Sequence, residues 1–199
     1  MKWVNASVLD GGLNAIKTVA TKMRLITAYT AGDSYATVLA NSICVAAMAS
    51  ADFTLATSGS NRTLTTATKT ANATANSNQQ DAGVATGGST TTLVNTAKAW
   101  AVNAFAGKAV TITTGLGVGQ YGRIVSNTAT VLTITADATG WPLAPDATSG
   151  YRITDDLHIS FDDGAANVLW VTDETTNQPI TFGNPIDFPA VVYTAVQPV

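Results

Sequence analysis

A chain of 199 residues can bury roughly 70% of its unfolded surface, so one or two domains can stand without disulfide or metal staples. Hydrophobic residues make up 46% and charged residues only 12%, about half the usual charged share, with Thr, Ala and Asn taking their place. A net charge of −3 with ten Lys and Arg excludes a nucleic-acid backbone as partner, because that needs clustered cations.

In chain order, the first pattern is helical. Leu9, Leu13, Ile16, Val19, Ala20 and Met23 recur at steps of three and four, which predicts one amphipathic helix over residues 5–23. Ser7 is the expected N-cap. Gly11 and Gly12 each lower helix propensity by about 1 kcal/mol, which predicts close packing of that face on a sheet. Arg24 to Tyr29 reads as a strand, Ala31 to Ser34 as a turn, and Ala36 to Asn41 as either a strand or a short helix. Ile43, Val45 and Met48 fit a buried strand or a helix equally. Phe53 and Leu55 before a Ser58-Gly59-Ser60-Asn61 turn predict a hairpin, and Arg62 to Thr74 is expected as one Thr/Ala strand. Asn76 to Asp81 reads as a polar linker.

Beyond it, residues 83–154 carry a self-contained β signal. Val110, Ile112 and Thr114, and again Val131, Thr133 and Thr135, recur with a period of two, and glycine clusters punctuate the runs. After residue 154, Leu157, Ile159 and Phe161 share one face of a strand, and Asp163-Gly164 is a hairpin signal. Val168 to Thr172, Pro179 to Phe182 and Ile186 to Tyr193 supply three further strands. Pro185 and Pro189 confine the last segments to edges or strand starts, because proline cannot donate to a ladder. The fold class expected is mainly β: an antiparallel sandwich or sheet with one N-terminal helix (residues 1–82 and 155–199), with a small β-barrel or sandwich inserted at residues 83–154.

Two resemblances bear on function. The inserted stretch, with Thr86-Gly87-Gly88-Ser89, the run from Ile124 to Thr130 and Pro145-Asp146-Ala147-Thr148, resembles a β-module that recurs in tailed-bacteriophage virion proteins. The run from Leu9 to Thr18, Met23-Arg24-Leu25-Ile26, His158 to Gly164, Leu169 to Asp173 and Gly183 to Ala190 are similar to a family of small phage virion proteins placed among head decoration and minor capsid proteins. These resemblances imply a structural particle protein on the capsid exterior, made in the host cytoplasm. They imply the major capsid protein as partner and a homo-oligomer, a trimer suiting the local threefold positions of a shell. The other roles they leave open are a neck, tail or fibre component, or a sugar-binding module for host attachment.

The chemistry-bearing motifs point the same way. Gly117-Val118-Gly119-Gln120-Tyr121-Gly122 fits the dinucleotide string, but the run after it, from Arg123 to Thr128, reads as a strand and not the helix a pyrophosphate needs. The string is expected as a hairpin loop. His158, the only histidine, is expected at a surface or interface, since Ser160 on the same strand face projects parallel to it. Asp155, Asp156, Asp162, Asp163, Asp173 and Glu174 lack the spacing of a calcium loop and are expected as solvated turn carboxylates. Cys44, the only cysteine, is expected as a small buried hydrophobe. Trp100, Trp141, Trp170, Tyr121 and Tyr151 are expected in the core or an interface; a sugar site would instead need several coplanar rings on an open face. Asn5, Asn61 and Asn72 match the glycosylation sequon without significance in so Asn- and Thr-rich a chain. No catalytic, cofactor-binding or metal-ligating residue is expected, and so no enzyme and no cofactor. No apolar run of about twenty residues spans a membrane, and no basic n-region with an apolar run marks a signal peptide.

Overall fold

The computed structural model describes residues 3–135, 141–174 and 180–198. The fold is mainly β, 44% strand against 12% helix, which settles its class as antiparallel β with one main helix. Two compact units share the chain: residues 1–75, 158–172 and 181–199 form the first, and residues 76–157 and 173–180 the second.

In the first unit, helix α1 (Ala6–Val19) precedes β1 (Lys22–Ile26), α2 (Tyr35–Ala40), β2 (Ser42–Ala47), β3 (Phe53–Ser58), β4 (Asn61–Thr66) and β5 (Lys69–Asn72). The second unit contributes β6 (Gln79–Val84), β7 (Gly87–Ser89), β8 (Thr92–Val94), β9 (Ala109–Thr114), β10 (Tyr121–Asn127), β11 (Val131–Thr135) and β12 (Gly150–Thr154). The first unit resumes with β13 (His158–Asp162), β14 (Val168–Asp173), β15 (Pro185–Phe188) and β16 (Val192–Ala195).

Three sheets build the first unit, in the orders β14-β13-β1-β2, β16-β4-β3 and β15-β5. Helix α1 packs on the three-stranded sheet through β4, β16 and β3, and Leu13 is its one fully buried side chain. The inner face of that sheet carries Phe53, Leu64 and Tyr193, with Leu64 opposite both Leu55 and Tyr193. Phe53 meets Phe161 edge-on, and Phe161 stacks on Trp170 with ring centroids 4.6 Å apart. The sandwich core is therefore aromatic, the arrangement in which large rings contribute beyond their buried area.

Several boundaries differ from the sequence pattern. The helix ends at Val19, because Ala20 is already extended and Met23 belongs to β1. Its N-cap is Asn5, whose side chain accepts from the Ser7 N–H, so Ser7 is the capped residue and not the cap. Gly11 and Gly12 are exposed, and a Cβ added at either meets nothing within 4 Å. They do not mark a close approach to the sheet. Gly11→Ala and Gly12→Ala should each stabilise the protein by about 0.5–1 kcal/mol, since a helix interior favours Ala over Gly by that much; urea unfolding of each variant checks this.

Residues 35–40 resolve as a helix, with the Ser34 hydroxyl accepting from the Thr37 N–H. The Arg62–Thr74 run is two strands in different sheets, β4 and β5, not one. The Ile186–Tyr193 run likewise splits around Pro189 into β15 and β16. Ile180 to Phe182 contains no strand, and Pro179 lies outside the described residues. Pro185 opens β15, where its missing N–H costs no ladder bond.

The second unit is one seven-stranded antiparallel sheet in the order β6-β12-β9-β10-β11-β8-β7. The stretch read as a linker before residue 83 is β6, paired with β12 from Gln79 to Val84. Polar residues form this strand because it lies at the sheet edge, where backbone pairing and not apolar burial decides. One face of the sheet closes on Leu93, Val110, Ile112, Ile124, Leu132, Ile134, Trp141, Tyr151 and Ile153. In β11 the buried set is Leu132 and Ile134, so Thr133 and Thr135 face away. Among the described residues no helix is long and apolar enough to cross a membrane.

Candidate functional site

The glycine string lies in the loop joining β9 to β10, with positive φ at Gly115, Gly117 and Gly119. Gly115 is obligatory there: its φ is +73°, and a Cβ would stand 1.9 Å from the Thr148 carbonyl oxygen. The chain then enters β10, so no helix N-terminus is offered to a phosphate. Gln120 holds the loop by exchanging two hydrogen bonds with the Leu143 backbone, at 2.8 and 3.1 Å. Leu116, Val118 and Leu143 are exposed around it.

The carboxylates are not solvated turn groups as a set. In the first unit Asp162 is fully buried and receives Arg24 Nε at 2.7 Å. The Gly164 N–H donates to the same carboxylate at 2.8 Å. In the second unit Asp155 is buried, accepting from Lys108 Nζ at 2.7 Å and the Asn78 N–H at 3.0 Å. Asp156 is buried beside Arg123, 3.3 Å away. A buried carboxylate needs a cation or N–H donors to offset its lost hydration, and the sequence pattern had no means of showing that Arg24, Lys108 and Arg123 supply them from distant strands. Asp163 does what the turn reading requires. Its carboxylate accepts from the N–H groups of Asn167, Ala166 and Ala165 and from the Asn167 side chain, which holds its pKa well below the usual range. Asp173 is exposed and accepts from the Tyr121 hydroxyl at 3.4 Å, and the Glu174 N–H donates to the Leu157 carbonyl.

His158 is buried, not at the surface, with its ring edge-on to Tyr29 at 6.2 Å. Every residue of β13 is buried, since it is an interior strand between β14 and β1. His158, Ser160 and Asp162 occupy alternate positions, about 6.6 Å apart per step on one strand face. That spacing is too wide for a nucleophile–base hydrogen bond. Asp162 is in any case committed to Arg24.

Cys44 is fully buried, its Sγ 3.5 Å from the carbonyl oxygens of Ala71 and Asn72, and burial pushes its thiol pKa up. That is the opposite of nucleophile activation. Of the five aromatic residues singled out, two are fully buried and three partly so. Trp141 and Tyr151 are buried in the second unit, and burial pushes the Tyr151 hydroxyl up to about 12, with Asn95 Nδ2 donating to it at 2.9 Å. Trp100 meets Phe105 and Tyr151 edge-on and donates its indole N–H to Asp81. Asp81 itself, though burial alone would raise it, is held low by Lys98, Trp100 and the Ala82 N–H. In the first unit Trp170 lies between Phe161 and Tyr193. Rings so placed do not make a coplanar open platform. Asn127, within the Ile124–Thr130 run, is buried and ties the 101–105 loop by accepting from the Phe105 N–H and donating to the Ala101 carbonyl.

A depression of about 330 Å³ is lined by Gly107, Arg123, Ile124, Val125 and Thr135. The outer face of the β16-β4-β3 sheet presents Thr54, Ala56, Thr65, Val192 and Thr194 in register, without a charge. Val192 is 54% exposed and Val196, just past the strand, 63%. Comparison with family models, characterised proteins and solved structures finds no match to this chain.

Proposed function

We propose that the protein is a structural component of a tailed-phage particle, a decoration protein that binds the outside of the head and stabilises it. Beside the sequence resemblances, one observation supports this reading: the outer face of β16-β4-β3 is largely exposed and uncharged, with Thr, Ala and Val in cross-strand register. Edge strands of free proteins are ordinarily guarded by charge or cover, and a surface without charge suits one that is covered by a neighbour. The mechanism is binding energy alone. Each copy bridges adjacent coat subunits, so opening the shell breaks extra interfaces, and many weak contacts reinforce one another on a lattice through effective concentration. The partner is the major capsid protein, which the protein meets as a homo-oligomer.

Particles lacking this protein should then open at lower temperature or in milder denaturant than complete ones, while adsorbing to host cells normally. Loss of adsorption with unchanged head stability would reject the decoration role in favour of a tail or sugar-binding one.

A further inference from the structure

The backbone of the C-terminal strand has a fixed orientation. The Val191 carbonyl accepts from the Thr66 N–H at 2.9 Å, and the Val191 N–H donates to the Thr66 hydroxyl. At the other end the Gln197 N–H donates to Asn61 Oδ1. Residues 191 and 197 therefore turn their backbone groups toward β4. Because N–H and C=O directions alternate along an antiparallel strand, Val192, Thr194 and Val196 turn theirs outward. β16 is the outermost strand of its sheet, and among the described residues no strand pairs with that edge. The same three residues share the outer sheet face, Val192 and Val196 being among its exposed apolar side chains.

We propose that this edge pairs with the same edge of a second copy, antiparallel about a two-fold axis through Thr194. In that register Thr194 meets Thr194 of the second copy, and Val192 meets Val196 at both ends. All three outward-facing backbone pairs then exchange N–H···O bonds, and each exposed valine is covered by a valine. A two-fold axis normal to a sheet pairs residues of like facing only, and this register keeps 192, 194 and 196 on one face. No charged residue lies between 188 and 198, so pairing brings no like charges together, and the prolines at 189 and 198 fall outside the paired segment. An uncharged, unprotected edge with apolar side chains is the kind that templates another strand. A second copy is the occupant because the segment is complementary to itself in shape and charge. The contact is isologous and closes at two copies. It does not rest on the virion reading: it concerns the purified protein, and its failure leaves the particle experiment untouched.

The test uses the full-length chain. Sedimentation equilibrium should show a concentration-dependent dimer. Thr194→Cys should be joined into a covalent dimer by a short thiol-reactive cross-linker, since hydrogen-bonded antiparallel partners lie about 5.5 Å apart at Cα; Cys44 is buried and does not compete. V192K/V196K places Lys opposite Lys at both ends and should weaken the dimer at least tenfold. V192K/V196E places Lys opposite Glu and should restore it. Both positions are exposed, so the melting temperatures should stay close to the parent. A parent protein that is monomeric, or trimeric, at all concentrations overturns the proposal. So does a Thr194→Cys variant that does not cross-link, or a V192K/V196K variant as dimeric as the parent.

Discussion

Asp162→Ala should cost about 3–5 kcal/mol of folding stability, the loss expected when one partner of a buried ion pair is removed. Arg24 is 8% exposed at its side chain and Asp162 not at all, and Nε and Nη2 of the guanidinium reach the two carboxylate oxygens at 2.7 and 3.4 Å. Removing the carboxylate strands the guanidinium out of water and also takes the acceptor from the Gly164 N–H. The stranded charge costs more than the lost N–H acceptor, because it recovers neither hydration nor a counter-charge. Arg24→Met/Asp162→Leu removes both charges and should regain most of the loss, since apolar replacement of a whole buried pair is often near neutral. Urea unfolding of the two variants and the parent measures this. A double variant as unstable as Asp162→Ala would mean that the apolar pair cannot pack in this face of the sheet.

Trp141→Ala should cost about 3–5 kcal/mol, by lost transfer energy together with the cavity left behind. Trp141 heads the fully buried side chains by volume, at 1% exposed, and belongs to the second unit's core. The room for it comes from Gly122 in β10: a Cβ there would stand 3.0 Å from the indole nitrogen and 3.2 Å from Ile134 Cδ1. Gly122→Ala should therefore cost about 1–3 kcal/mol by overpacking. Combined with Trp141→Ala it should cost less than it does alone, because the ring it meets is gone. Neighbouring substitutions that share a cavity couple in this way. Strict additivity of the two losses in thermal unfolding would show that the glycine acts through its backbone and not through space for the ring.

These two effects lie outside what the sequence could express. Local chemistry was legible. Alternating β-branched residues marked β9 and β11 of the second unit, glycines marked the β9–β10 loop, and the missing helix after Gly122 disposed of the nucleotide motif. Proline at 185 marked an edge or a strand start, and it opens β15. The mainly β class with one main helix comes from periods of two and 3.6, which neighbouring residues alone set. Periodicity could not supply partnership over distance. Arg24 and Asp162 are 138 positions apart, so the aspartate's burial depends on which strands lie side by side. The same holds for His158, buried because β13 sits between β14 and β1. Gln79 to Val84, polar in sequence, is a strand only because β12 offers it an edge to pair with. The outward face of Val192, Thr194 and Val196 was likewise invisible until Val191 and Gln197 were seen bonded to the ends of β4. The sequence by itself determined the kinds of local structure and their punctuation, because those rest on sterics and local hydrogen bonding. The tertiary structure alone decided which charges are buried, which rings are enclosed and which edge is left open, because each of those is a property of neighbours brought together from far along the chain.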